Sequence, residues 1–155
     1  MTLIIGIDPG LQKTGWGVIR KNGNAISFVA CGTIKTYSEI KSIAPRVFHL
    51  SNELTDIINK YQPEEAGVEE TFVNVNGQST LKLGQARGAI LLTLAQSGLL
   101  VAEYAATLVK KSIVGNGRAD KNQISQMVQL LLPNCGKHGA DAMDALAVAI
   151  CHAHH

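Results

Sequence analysis

Residues 3–10 read Leu-Ile-Ile-Gly-Ile-Asp-Pro-Gly, a short, mostly β-branched run that ends on a carboxylate and is closed by Pro-Gly. Branched side chains suit a pleated, buried surface, and Pro-Gly stops strand pairing, so residues 3–8 are predicted to form a core strand. A charge at the end of such a strand is costly unless something compensates it. Asp8 therefore restricts the chain to folds that deliver a strand end to a site.

The rest of the order follows from spacing and punctuation. Residues 14–20 form a second strand, separated from the first by an interval short enough for a hairpin, and Asn22-Gly23-Asn24 turns the chain into a third over 25–35. Val47, Leu50, Leu54, Ile57 and Ile58 recur at helical spacing over 45–61, with Pro45 suited to the first turn and Pro63 as the stop. Residues 66–72, Ala-Gly-Val-Glu-Glu-Thr-Phe, read as a fourth strand that again carries carboxylates near its end. A helix over 79–95 holds Gly84 and Gly88 four residues apart, which fits either a tight seat on the sheet or a dimer contact. A fifth strand over 99–104, a short helix over 105–111 and the loop Val-Gly-Asn-Gly-Arg at 114–118 follow. Asp120, with Gln123 three residues on, has the pattern of a helix cap for a segment running to 132. The chain closes with an Ala-rich helix.

Three strands, then alternating helix and strand, then a last helix describe an α/β fold: a mixed sheet covered by helices in one domain over 1–155. The carboxyl ends of strands are where such sheets place ligands. No apolar run approaches the ~20 residues needed to span a bilayer. Three unclustered cysteines, Cys31, Cys135 and Cys151, imply neither a disulfide frame nor a zinc site. A cytoplasmic location without membrane contact is expected.

Four carboxylates stand out. Asp8 and either Glu69 or Glu70 come from strand ends, while Asp141 and Asp144 lie three apart on one face of the last helix, among small residues that let it lie close to the sheet. Each has an ordinary explanation: closing a turn, complementing a helix macrodipole, or facing solvent. Together they repel one another unless protons or cations intervene, and hard oxygen ligands select a hard cation such as Mg²⁺ or Mn²⁺. The net charge of +2 also hides an asymmetry, since residues 71–121 carry six basic groups against two acidic ones. That surface is compatible with a polyanion.

The motifs GIDPG with TGWGVI, VEETF, LKLGQARG, EYAA with VKK, VGNGRADK and ADAMDALAVAI resemble, in order and over essentially the whole chain, the RuvC crossover junction endodeoxyribonucleases of the RNase H-like superfamily. The resemblance implies a five-stranded mixed sheet flanked by helices. It also implies a homodimer that nicks two symmetry-related strands of a four-way (Holliday) junction, leaving 5′ phosphates, with two Mg²⁺ ions per site and Mn²⁺ able to substitute. By motif position Asp8, Glu69, Asp141 and Asp144 are the metal ligands, which selects Glu69 over Glu70. Lys110 and Lys121 lie near the cleaved phosphate, and Phe72 stacks at the crossover. A branch-migration helicase complex is the implied partner. Arg118, in the glycine loop, is read as a phosphate contact, although an exposed loop arginine is ordinary. The chain departs from the family at Cys-His-Ala-His-His, where a basic tail is missing and a frayed terminus is expected. His138 is assigned to the loop leading into the last helix rather than to proton transfer.

Rival readings are a junction-binding protein without catalysis and an actin-like ATPase, whose first phosphate loop resembles the opening stretch. The latter needs a second such loop and domain, which this length does not supply. The related YqgF type, acting on RNA, is disfavoured by LKLGQARG and VGNGRADK.

Overall fold

Side-chain alternation along the first strand divides the molecule into two cores. The computed structural model describes residues 1–36, 40–70 and 77–155. Its elements are β1 (Thr2–Asp8), β2 (Lys13–Asn22), β3 (Ala25–Lys35), α1 (Ile43–Tyr61), β4 (Glu65–Glu70), α2 (Gly77–Gln96), β5 (Leu100–Ala105), α3 (Ala106–Val114), α4 (Lys121–Leu131) and α5 (Ala140–Ala153). The strands form one mixed sheet in the order β3-β2-β1-β4-β5, antiparallel through β1-β2-β3 and parallel through β1-β4-β5.

Ile5 and Ile7 of β1 pack with Val18, Val68, Leu50, Leu54, Ile90 and Leu94 on the face covered by α1 and α2. Ile4 packs with Ile19, Tyr104, Leu146 and Ile150 on the opposite face, against α5, α3 and α4. Because successive strand residues point to opposite faces, Asp8 emerges on the side of Ile4 and Gly6, the α5 side. The same rule on β4 puts Glu65, Gly67 and Glu69 on that face and Glu70 on the other.

Alpha-helix α5 lies unusually close to the sheet. A Cβ built on Gly6 would strike the Ala145 carbonyl and come within 2.5 Å of the Ala149 nitrogen, and one on Gly15 would strike the Asp141 carbonyl. On Gly17 it would come within 2.6 Å of Leu146 Cδ2. Three strand glycines, adjacent in register as Gly6↔Gly17 and Asp8↔Gly15, thus provide the bed on which the alanine face of α5 rests. Of the two readings of Gly84 and Gly88, the seat on the sheet is not found: a Cβ on either meets nothing within 4 Å. The buried face of α2 is instead made by Ala86, Ile90, Thr93 and Leu94, which leaves both glycines toward solvent.

Elsewhere the expected boundaries agree with the elements to within a few residues. The predicted cap is present as a full capping box: Gln123 N–H donates to Asp120 Oδ1 at 2.8 Å and the Asp120 N–H to Gln123 Oε1 at 2.9 Å. The last two positions of the expected fourth strand, including Phe72, lie outside the described residues. The expected frayed end is corrected at His152, while His154 and His155 stay exposed past the end of α5. His152 sits on α5 with Nδ1 2.7 Å from the Tyr104 hydroxyl and Nε2 2.7 Å from Glu65 Oε1, because two strands offer polar partners to the final helical turn. Among the described residues no helix is long and apolar enough to cross a membrane.

Replacing Gly6 by Ala is expected to cost about 1–3 kcal/mol, since the new carbon meets backbone that cannot rotate away. Gly139→Ala, at a position where a Cβ meets open space, is expected to change stability by less than about 1 kcal/mol. Urea unfolding of the two variants measures the difference.

Candidate active site

Asp8 and Glu69 end or nearly end adjacent parallel strands. Ile7 pairs with Val68, so the next residue on each strand brings the two carboxyls side by side on the α5 face, where they are hydrogen-bonded to each other. Asp144, one turn into α5, faces the same cleft, which encloses about 620 Å³ between β1, β4, α3, α4 and α5. Lys110 from α3 and Lys121 from the first position of α4 line it too. The capping box orients the start of α4 and hence the base of the Lys121 side chain.

The electrostatics follow from this crowding. Burial, reinforced by Glu69, Asp144 and Asp141, pushes the Asp8 carboxyl far above the ordinary carboxylate range. Glu69 and Asp144 are also raised, again first by burial, while Lys110 and Lys121 pull both back toward ionisation. The Asp8–Glu69 hydrogen bond lowers Glu69 and raises Asp8. Burial and the neighbouring acids therefore favour the neutral form of Asp8 when no cation is bound.

The sequence-derived residues divide in three ways. Asp8, Glu69, Asp144, Lys110 and Lys121 share the cleft. Asp141 lies in the first turn of α5, and its charge reaches both Asp8 and Asp144 although its side chain does not line the cleft. Arg118 is exposed in the loop, its N–H bonded to Asn116 Oδ1 at 2.8 Å, outside the cleft lining. Phe72 falls outside the described residues. Glu70 also lines the cleft rim, but alternation turns it from the α5 face, a distinction that sequence spacing left open. His138 stays in its loop, with Nε2 donating to the Cys135 carbonyl at 2.6 Å and the ring stacked on Phe28. The glycine bed at Gly6, Gly15 and Gly17 was not singled out from sequence; its signal was glycine at alternate positions of a strand, a mark of close backbone approach.

Among the described residues no three acidic, imidazole or thiol groups converge tightly enough to enclose an ion as they stand. The donor chemistry nevertheless suits a hard divalent cation: buried carboxylate oxygens whose mutual repulsion a bound cation would relieve.

The sheet order and its parallel–antiparallel division, with acids gathered at the strand ends, define the RNase H-like class. Within it, a family model described as crossover junction endodeoxyribonuclease RuvC matches residues 4–152, and the chain belongs to that family. Over 152 residues it is 58% identical to the crossover junction endodeoxyribonuclease RuvC of Xanthobacter autotrophicus, covering 98% of this chain and 89% of that protein. Over 155 residues it is 55% identical to that of Azorhizobium caulinodans, covering 100% and 91%. The structure of Thermus thermophilus RuvC in complex with Holliday junction substrate superposes with a TM-score of 0.90 at 28% identity, covering 99% of this chain and 93% of that one.

The raised carboxyls carry a stability consequence. Unfolded, each releases its proton near pH 4; folded, it holds the proton to higher pH, so the native state binds more protons and stability falls as pH rises through the raised values. The metal-free protein is expected to lose Tm between about pH 5 and pH 9. Asp8→Asn should flatten that slope and raise Tm near neutrality by roughly 3–6 °C. Calorimetry across pH in a chelator checks both.

Proposed function

We propose that the protein is a divalent-metal-dependent endonuclease that resolves four-way DNA junctions through this cleft, with residues 1–155 acting as one nuclease domain. The observation that carries the reading is the buried grouping of Asp8, Glu69 and Asp144 beside Lys110 and Lys121, in a chain of the RuvC family. Asp8, Glu69, Asp141 and Asp144 would hold two Mg²⁺ ions, or Mn²⁺ in their place. Bound there, the ions would supply water activation and charge neutralisation for in-line phosphodiester hydrolysis that leaves a 5′ phosphate.

The chain's own residues do the remaining work. Asp8 and Glu69 would offer their carboxylate oxygens to the cation, and the rigid strands beneath them keep the two side chains in place. Lys110 and Lys121 hold the scissile phosphate against a cluster that would otherwise repel it. With the four acids set aside, 14 basic residues face 8 acidic ones, so junction affinity should fall steeply with added salt. Phe72 follows two residues after Glu70 and is assigned to stacking at the crossover; Arg118 is assigned to a flanking phosphate. The protein works in the cytoplasm beside a branch-migration helicase, as the family resemblance implies.

Symmetric nicking calls for a homodimer. Its surface is assigned to the solvent side of α2, where Leu81 and Leu92 stay 64% and 58% exposed on the same side as Gly84 and Gly88. The glycines that do not seat α2 on its own sheet would let a second backbone approach.

Incubated with a synthetic four-way junction and a matched linear duplex, the protein is expected to cut only the junction, and only with Mg²⁺ or Mn²⁺. Asp8→Asn should lower cleavage by at least about 100-fold while retaining junction binding. Full cleavage by this variant removes Asp8 from the mechanism, and ATP turnover without DNA cutting would favour the actin-like alternative. Gly88→Arg is expected to yield a monomer in sedimentation that still binds Mn²⁺ but has lost paired nicking.

A further inference from the structure

Arg46, in the first turn of α1, is a buried cation outside the cleft, with only 6% of its surface exposed. Withdrawing a guanidinium from water is costly unless well-placed hydrogen bonds compensate, so its partners say what it is for. Its Nη2 donates to the Leu11 carbonyl at 3.2 Å and lies 3.4 Å from Thr36 Oγ1. Thr36, 7% exposed at the end of β3, donates its own hydroxyl to the same carbonyl, and its N–H donates to the Gln12 carbonyl at 2.8 Å. From within the hairpin, buried Thr14 accepts from the Gly10 N–H at 3.3 Å and donates to the Gly10 carbonyl at 3.0 Å. Residues 10–12 are thereby tied to β2, to β3 and to α1.

That segment begins two residues after Asp8, with buried Pro9 between. A hairpin turn normally leaves its carbonyls to water; this one directs the Leu11 carbonyl inward onto two buried donors. Arg46 reaches the site through this turn, by its bond to the Leu11 carbonyl.

We infer that Arg46, together with Thr36, is a positioning residue: by holding the Leu11 carbonyl it fixes the β1–β2 turn and with it the direction in which Asp8 presents its carboxylate to a divalent cation. The inference rests on the proposed metal reading of Asp8. A partner that orients a metal ligand is worth about 10–100-fold in metal affinity, whereas a staple that merely stabilises the fold leaves affinity in the folded fraction unchanged.

The test uses DNA-free protein titrated with Mn²⁺, with free ion measured by electron paramagnetic resonance, alongside amide exchange of residues 10–12 and Tm. Arg46→Met and Thr36→Val are expected to weaken Mn²⁺ binding, Arg46→Met by about ten-fold or more, with faster exchange at the turn and unchanged junction binding in chelator. Arg46→Ala should recover Mn²⁺ affinity when millimolar methylguanidinium fills the vacated space, and Arg46→Met should not. Folded Arg46→Met and Thr36→Val proteins that bind Mn²⁺ as tightly as the wild type overturn the inference, as does a lowered Tm with unchanged affinity. Should the Arg46 variants not fold, Thr36→Val alone decides. Asp8→Asn separates the two levels: lost Mn²⁺ binding there but not in the Arg46 and Thr36 variants overturns only the positioning role, and wild-type binding by Asp8→Asn overturns the metal reading beneath it.

Discussion

The close seating of α5 on β1 and β2 is the constraint on which the rest of the site depends. Helix α5 carries Asp141 and Asp144, whereas Asp8 and Glu69 come from the sheet, so the depth at which the helix lies sets the distance between the two pairs of acids. Gly6, Gly15 and Gly17 remove the side chains that would hold the helix away, and Ala145 and Ala149 do the same from the helix side. The Asp141 carbonyl occupies the space a side chain at Gly15 would need, and Gly15 is the register partner of Asp8. One packing contact therefore seats the helix and brings its acids to the strand end. Core packing is close to crystalline in density, so this spacing has little room to drift.

Such a site opposes the stability of the fold that builds it. Burial raises Asp8, Glu69 and Asp144 together, and the lysines on α3 and α4 offset only part of the repulsion. The cost is met by cores on both faces of the sheet, with β1, β2 and α5 completely buried at Ile5, Ile7, Ile19, Leu146 and Ile150. Strain of this kind is tolerable where the surroundings over-determine the geometry. The Thr14, Thr36 and Arg46 bonds to the β1–β2 turn are one way in which they do so.

Most of the element order was legible because local signals agree with the tertiary fold: branched runs make the strands, Pro63 ends α1, and Asp120 with Gln123 opens α4. The candidate acids were legible because charge at a core strand end has few explanations. Other features depend on what faces what across long sequence separations. Gly84 and Gly88 were open to a helix seat or a dimer contact, and the seat belongs instead to strand glycines whose partners lie some 130 residues away on α5. Spacing alone left Glu69 and Glu70 open and the family resemblance chose Glu69; the phase of β4, which adjacency in sequence does not supply, is the physical basis of the difference. His152 read as a frayed tail because its partners, Tyr104 and Glu65, come from two strands remote in sequence. Arg46 occupies an ordinary place in an amphipathic helix, and only the inward Leu11 carbonyl distinguishes it.

Charge balance links the cluster to its proposed substrate. Asp8, Glu69, Glu70, Asp120 and Asp144 line the cleft against Lys110 and Lys121, so its acids outnumber its bases. In that state the site repels a phosphodiester, and Lys110 and Lys121 alone cannot reverse the sign. Divalent cations held by these acids would offset that excess and let the same side chains accept a phosphate. The lysines then act on a field already favourable, where low dielectric strengthens each contact. On this account, metal and DNA binding reinforce each other because each offsets the charge that opposes the other.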